Sequence, residues 1–262
     1  MRKFITMGRM EFKTSIAYKL NFMSSIIISP LMLMLYYFIW SSVYSNNAGD
    51  ILGYSFEDMI TYYVFIMITG HFIYNRVGHK LQQKVLYGEL TQDLLRPYPV
   101  FFQFLSRELA DRIFAFFVEV IPVFIISLII FNINSFQGSI LFFFIALIFA
   151  FLINFMLGFI TGTLAFWVKK IESFQWLMYI FMRFLSGEFI PLDFFGTYLL
   201  NVSKFLPFYY LRYGVVKLVI EKVSFFEGAR FIGIQIIWIL ILIAVYKLLW
   251  AKALKKFGAE GG

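Results

Sequence analysis

Long apolar runs separated by short polar connections fill the chain between residues 22 and 250. A helix needs about 20 mainly apolar residues to cross the roughly 30 Å hydrocarbon layer of a bilayer. Six segments reach or approach that length, so the pattern predicts an all-α polytopic membrane protein with six transmembrane helices. The predicted spans cover residues 22–44, 58–76, 113–132, 139–167, 173–187 and 230–250.

The polar connections alternate in charge. The N-terminal segment is basic, the connection at 45–57 has no Lys or Arg, and the long connection at 76–112 is basic again. The connection at 132–138 is uncharged, whereas residues 169–172 and the C-terminal tail are basic. Because basic residues concentrate in cytoplasmic loops, the pattern predicts a multi-pass protein of the cytoplasmic membrane with both termini in the cytoplasm.

Composition agrees with a lipid environment. Hydrophobic residues make up 61% of the chain and charged residues 15%, against roughly 25% charged in an average soluble domain. The net charge of +8 is accounted for by the basic connections, so we predict membrane lipids as partners and no nucleic acid. The chain has no cysteine, which excludes thiolate catalysis and cysteine-based metal sites, and we predict no catalytic or metal site.

The stretch RFLSGEFIPLDFFGTYLL, residues 183–200, does not fit a simple spanning helix because it combines an apolar background with charged residues, Gly and Pro. Between the basic residues 169–172 and the basic tail, the chain must cross the membrane an even number of times. The last span takes one crossing, so the whole tract 173–211 supplies only one net crossing. Its second part therefore has to enter the membrane and return to the outer side.

This second part is predicted to be a re-entrant hairpin, the re-entrant segment (residues 188–208), which begins where Gly and Pro break the fifth helix. The alternative is one long helix with a polar patch and an interfacial tail. The candidate residues of the predicted gate are Gly187, Glu188, Pro191, Leu192, Asp193 and Pro207.

A second informative stretch, GELTQDLLRPYP, lies in the basic connection between the second and third spans. Glu89–Arg96 can form a two-turn helix whose charge order suits the helix dipole. Three of its leucines would form an apolar face that nothing in this chain obviously covers, so the helix either docks another protein or lies on the membrane surface. The candidate residues of this elbow segment (residues 88–97) are Gly88, Glu89, Leu90, Asp93, Leu94, Leu95, Arg96 and Pro97.

Two charged residues are predicted to lie deep in the spans. Glu119 is placed about 10 Å and Arg183 about 15 Å from the nearest membrane surface, where an isolated charge costs about 2.5–3.5 kcal/mol. They either pair with each other or reach the surface, or Glu119 lines a path for a cationic substrate. His71 is either a hydrogen-bonded helix residue or a ligand, and Glu188 and Asp193 either receive leaving cations or lie at the lipid–water boundary.

Six spans with both ends inside, GEL…LLRPYP after the second span, SGEFIPLDFF after the fifth and LPFYY at 206–210 together resemble the ABC-2 type (type V) ABC transporter permeases. The chain is most similar to the small six-span bacterial group known as drug or viologen exporter permeases. The resemblance covers the whole chain as one transmembrane domain, residues 1–262. It rests on the order of short motifs, each of which is weak alone.

The resemblance implies an N-terminal interfacial connecting helix over residues 1–20, a coupling helix in the elbow segment that docks on an ATPase, and an extracellular gate formed by the re-entrant segment. It also implies a second permease subunit, identical or homologous, and two ATPase subunits. The chain itself has no phosphate-loop motif, so ATP and Mg²⁺ are expected on the partner chain and no cofactor on this one. The implied function is ATP-driven export of an amphiphilic or hydrophobic substrate such as a drug, a toxic cation or a lipid-like molecule.

Two other classes of function stay open. One is an ion-coupled secondary transporter that uses Glu119, and the other is a membrane assembly subunit that transports nothing. Binding of an ATPase through the elbow segment would separate the permease from both.

Overall fold

A computed structural model describes residues 20–46, 49–131, 133, 137–168 and 171–260. The interfacial helix predicted over residues 1–20 lies outside the described residues except for its last position. The described part of the chain is helical throughout and contains no β-strand, only an isolated bridge between Ile51 and Tyr54.

Eleven α-helices are seen in the described residues, and a π-helical turn at Phe116–Val120 joins the fifth to the sixth. Short 3-10 turns lie at Leu164–Phe166, Leu192–Phe195 and Pro207–Tyr210. The helices are α1 (Leu20–Ser45), α2 (Phe56–Ile73), α3 (Val77–Leu86), α4 (Leu90–Leu94), α5 (Val100–Ala115), α6 (Ile121–Phe131), α7 (Ile140–Thr163), α8 (Glu172–Leu185), α9 (Gly196–Lys204), α10 (Tyr213–Ile220) and α11 (Phe225–Glu260).

Within the described residues, four helical stretches are long and apolar enough to cross a membrane: Ile26–Ser45, Val100–Phe131, Ile140–Phe166 and Phe225–Phe257. The molecule is therefore an all-helical, multi-pass membrane protein. The predicted second and fifth spans correspond to shorter helices, α2 with 18 residues and α8 with 14. The helix predicted over 113–132 begins much earlier, directly after Pro99, because the apolar run continues an amphipathic helix.

Helix α7 lies at the centre of the core and packs most extensively on α11 and α3. Its aromatic face forms a cluster in which Phe159 contacts Tyr246 edge-on and Trp250 at a tilt, both on α11, with ring centroids 5.4 Å apart in both pairs. Phe101 of α5 reaches the same cluster at 4.7 Å from Tyr246. The phenylalanines of α7 therefore join three helices into one packed unit.

The crossing of α3 over α7 is a contact between backbones. A Cβ added at Gly162 would lie 2.8 Å from both the Cα and the carbonyl oxygen of Gly78, and one added at Gly78 would lie 2.7 Å from the carbonyl oxygen of Gly158. Gly158 and Gly162 are four residues apart and share one face of α7. This is the small-residue spacing that lets membrane helices approach closely.

Contacts between the connections divide the molecule into two ends. At one end Tyr54 donates a hydrogen bond to Asp193, and the Gly138 N–H donates to the Val219 carbonyl at 2.8 Å. At the other end Gln82 contacts Glu172. We refer to the first as the re-entrant end (residues 50–56, 138–142, 188–195 and 217–225) and to the second as the elbow end (residues 82–100, 166–168, 171–172 and 250–257).

Candidate functional site

The break after α8 is held open by hydrogen bonds from α2 and α10. Gly187 has a φ of +72°, and its carbonyl accepts from the Tyr62 hydroxyl at 2.5 Å. The Phe189 carbonyl accepts from the Tyr63 hydroxyl at 2.9 Å, and the Ser186 carbonyl from the N–H of Tyr213 at 3.0 Å. The non-helical backbone is thus satisfied by the protein, as lipid surroundings require.

The break lies beside α2, in the part of the chain that is predicted to enter the membrane. Tyr62 is six residues past the start of α2 at Phe56, which corresponds to about 9 Å along the helix axis. The chain then emerges at Asp193, which accepts from Tyr54 at 2.5 Å and pairs with Lys217 at 3.0 Å. Pro191 and Leu192, between the break and this contact, are both buried.

After α9 the chain packs back against the helix bundle. The Tyr210 carbonyl accepts a hydrogen bond from the buried amide of Gln235 at 3.0 Å, and Gln235 also donates to the Ala146 carbonyl at 3.0 Å. Pro207 is buried, and the guanidinium of Arg212 reaches α2, where a Cβ at Gly70 would lie 3.3 Å from it. The contacts of this stretch with the helix bundle therefore extend to Arg212, past residue 208. Nothing in the sequence marks Gln235 as its anchor.

A carboxylate and two guanidinium groups meet at the break. Glu188 pairs with Arg183 at 2.8 Å and, on its other oxygen, with Arg212. The Arg183 guanidinium also lies over the rings of Tyr179 and Phe189, 5.3 and 4.8 Å from their centroids. Glu188 therefore neutralises one of the two guanidinium charges at the break.

A cavity of about 1070 Å³ extends from this break toward the elbow end. Its walls are formed by the junction of α2 and α3, by α7 and by α8. Asn154 and Thr161 contribute from α7, and Trp176 and Met182 contribute from α8. Ser186 and Arg212 lie at its deep end, and His79 and Glu172 lie at its other end. The volume is at the upper limit of ordinary ligand pockets, which hold roughly 300–1,000 Å³.

The elbow segment is fixed to the neighbouring helices by the buried carboxylate of Asp93. Asp93 pairs with Lys84 of α3, with Arg96 at 3.0 Å and, more loosely, with Arg107 of α5 at 3.9 Å. The buried amide of Gln103 donates to the carbonyls of Asp93 and Tyr98, each at 2.8 Å. These contacts make the elbow segment one rigid piece with α3 and α5.

The expected two-turn helix over Glu89–Arg96 is a single turn, Leu90–Leu94. The prediction that its leucines lack a cover within the chain is wrong for Leu90, which is fully buried, and for Leu94, which is half-buried against the core. The reason is that α3 and α5 fold back over the segment. Leu95 alone of the three projects, with 81% of its surface exposed. Gly88, Glu89, Arg96 and Pro97 are also exposed.

Comparison with protein families gives one match. A family model described as an ABC-2 family transporter protein matches residues 30–261, which is nearly the whole chain. The chain belongs to the ABC-2 family of transporter proteins. None of the curated proteins matches it.

Membership of the ABC-2 family makes the chain a membrane component of a transporter rather than its catalytic subunit. Permeases of this family work with an ABC ATPase in a membrane complex. Within this ABC-2 chain, the elbow segment and the cavity are the two features that such a role calls for.

The remaining predicted residues form a separate polar cluster. The His71 Nδ1 atom lies 2.7 Å from Glu119, its Nε2 atom lies 2.8 Å from the Ser29 hydroxyl, and Arg112 donates to the His71 carbonyl at 2.9 Å. Glu119 sits in the π-helical turn, a feature often found at functional positions. The structure pairs Glu119 with His71 and Arg183 with Glu188, so it does not bear out the Glu119–Arg183 pair. Neither His71 nor Glu119 is among the described residues that line the cavity.

Proposed function

We propose that this ABC-2 protein is the transmembrane permease subunit of an ATP-driven exporter. It moves an amphiphilic or hydrophobic substrate across the cytoplasmic membrane by alternating access, and a separate subunit hydrolyses ATP. The observation that carries the proposal is the cavity of about 1070 Å³, which ends at a hydrogen-bonded break in the bundle. A transport path that is closed at one side of the membrane would contain such a cavity ending at such a break.

The proposed topology has six crossings with both termini on the cytoplasmic side. Its support is that the basic residues of the elbow segment and of the C-terminal end of α11 lie at the elbow end, while the connections at 50–56 and 138–139 meet at the re-entrant end. Helices α2 and α8 then cross despite their length, because each continues into protein-covered backbone rather than lipid. The elbow end would face the cytoplasm.

The elbow segment is proposed as the coupling helix that receives the ATPase. Its rigid attachment through Asp93 means that a force applied at Leu95 is passed to α3 and α5 as a rigid-body movement. The re-entrant segment is proposed as the outer gate, since its hydrogen bonds to Tyr62 and Tyr63 couple it to α2, which is followed directly by α3.

A second permease subunit, identical or homologous, is proposed to cover α8. No residue of α8 is buried in the single chain, and large apolar side chains that do not line the cavity are exposed along it, including those of Phe174, Phe181 and Phe184. A helix that crosses the membrane and also lines the cavity would gain packing from a partner at this face.

The proposal is tested by purifying the chain in detergent with the ABC ATPase expected to serve it. Leu95→Asp places a charge on the exposed tip of the elbow segment without touching Leu90 or Leu94. We expect it to abolish co-purification, because an apolar anchor at the centre of a docking surface commonly contributes at least 2 kcal/mol.

The matched control is Leu52→Asp. Leu52 is also an exposed leucine but lies at the re-entrant end, and its φ of +51° is one that Asp tolerates. ATPase binding that survives Leu95→Asp, or that Leu52→Asp abolishes equally, would count against coupling through the elbow segment.

A further inference from the structure

We propose that the cavity binds an amphiphile whose head is anionic, with the head at Arg183 and Arg212 and the apolar body along α8. The inference rests on the proposed function only in treating the cavity as part of the transport path. It selects one substrate class from a range that otherwise includes toxic cations.

The deep end of the cavity carries a net positive charge. Arg183 and Arg212 both line it, and the carboxylate that neutralises them, Glu188, is shared between the two. One positive charge therefore remains in excess, in a site where about nine-tenths of the Arg212 side chain is buried. A cationic head entering this end would be repelled, whereas an anionic head would complete the second ion pair.

Two hydrogen-bond donors beside the cavity have no acceptor among the described residues. Among the described residues, the Nε of Arg183 and the Nε2 of Gln175 are buried and have no hydrogen-bond partner. Both residues line the cavity, but they lie about 12 Å apart along α8, so a single head bound at Arg183 supplies acceptor oxygens to the Arg183 Nε and not to Gln175. Buried donors without acceptors are unfavourable, so the site is complete only when a ligand brings acceptor oxygens.

The wall of the cavity along α8 is formed mainly by aromatic and thioether side chains. Between the two donors the cavity is lined by Trp176, Met178, Tyr179 and Met182, with Leu157 opposite on α7. Aromatic and thioether side chains accommodate a flexible apolar body without fixing its shape. A long acyl chain with a carboxylate or phosphate head fits this arrangement, whether it comes from a free amphiphile or from a bilayer lipid.

The test measures binding to the permease chain alone in phosphatidylcholine nanodiscs by calorimetry. Dodecyl phosphate and dodecyltrimethylammonium share one apolar chain and differ only in the head. We expect the native chain to bind dodecyl phosphate about tenfold or more tightly than the cation, the change that one charge-assisted hydrogen bond produces. Competition by nanodiscs containing phosphatidylglycerol would assign the site to bilayer lipid, and its absence to a free amphiphile.

Three variants locate the head. Arg183→Gln leaves the Glu188–Arg212 pair in place and should weaken dodecyl phosphate binding about tenfold, Arg183→Lys should restore part of it, and Arg230→Gln, at an exposed arginine on α11, should change nothing. If Arg183→Gln does not fold, the comparison of heads on the native chain decides alone. Equal or tighter binding of the cation, or an unchanged affinity in Arg183→Gln, would overturn the inference. Because no ATPase is present, failure to recruit one would count against the proposed function and leave this result standing.

Discussion

Gly187 lies just past the end of α8 at Leu185, and two independent constraints require glycine at this position. Its φ of +72° is unfavourable for any residue with a Cβ, and an added Cβ would lie only 2.7 Å from the Tyr62 hydroxyl. Gly196 begins α9 with a similar φ of +81°, but nothing lies within 4 Å of the position of its missing Cβ. A substitution at Gly196 therefore tests backbone strain without a steric clash, whereas a substitution at Gly187 tests both together.

We predict that Gly196→Ala lowers the free energy of unfolding by about 1–3 kcal/mol, because its φ of +81° and ψ of +167° lie in a backbone region that is essentially restricted to glycine. Gly187→Ala should cost clearly more, because it must also displace the hydroxyl that binds the Gly187 carbonyl. Thermal unfolding of both variants in the same detergent measures the difference. Equal costs would mean that the Tyr62 contact does not hold the break.

The sequence shows that charged residues interrupt the apolar runs, but it does not show their partners. Glu119 and Arg183 stand out because a charge is conspicuous in an apolar run. Which residue lies opposite depends on which helices are neighbours, and apolar periodicity does not encode that. The sequence offers two roles for Glu188, a receiver of leaving cations or a residue of the lipid–water boundary, and neither anticipates that it bridges two arginines.

At the scale of elements, the sequence predicts helices best where an apolar run ends at a polar connection. Helices α1 and α7 begin and end close to the predicted spans 22–44 and 139–167. The third span was predicted too short, because Val100–Arg112 is amphipathic and is covered by protein instead of lipid. The elbow segment was likewise predicted from its caps, while the cover that α3 and α5 provide is a tertiary effect.

The crossing of α3 and α7 determines where the elbow segment is held. Gly162→Ala would push a methyl group against the backbone of Gly78, which cannot move aside without shifting α3. We predict a lower melting temperature and weaker ATPase association for this variant, since α3 carries Lys84, a partner of Asp93.

The control for that prediction is Gly233→Ala on α11, where nothing lies within 4 Å of the added methyl group. It should raise stability by about 0.4–1 kcal/mol by reducing the freedom of the unfolded chain. The two substitutions are chemically identical and are expected to act in opposite directions. A stabilising Gly162→Ala would contradict the close crossing.

At the scale of the whole molecule, the open question is whether the chain crosses the membrane six times or only at its four long apolar helices. With six crossings, α2 returns the chain to the cytoplasm before the elbow segment. With four, α2 stays outside, so that the elbow segment faces outward and the connection at 137–139 faces inward. The two arrangements reverse the sides of Leu95 and Gln137 but leave Leu52 outside in both.

The absence of cysteine from the chain makes these sides measurable by single substitutions to Cys at exposed positions. In right-side-out vesicles treated with a membrane-impermeant maleimide, we predict labelling of Leu52→Cys and Gln137→Cys, and labelling of Leu95→Cys only after permeabilisation. Leu52→Cys reports that the vesicles are correctly oriented. Labelling of Leu95→Cys together with protection of Gln137→Cys would establish four crossings, and the elbow segment would then be out of reach of any cytoplasmic ATPase. The predicted pattern places the elbow on the side where ATP is available and the break in α8 toward the opposite side, which is the polarity that an ATP-driven permease requires.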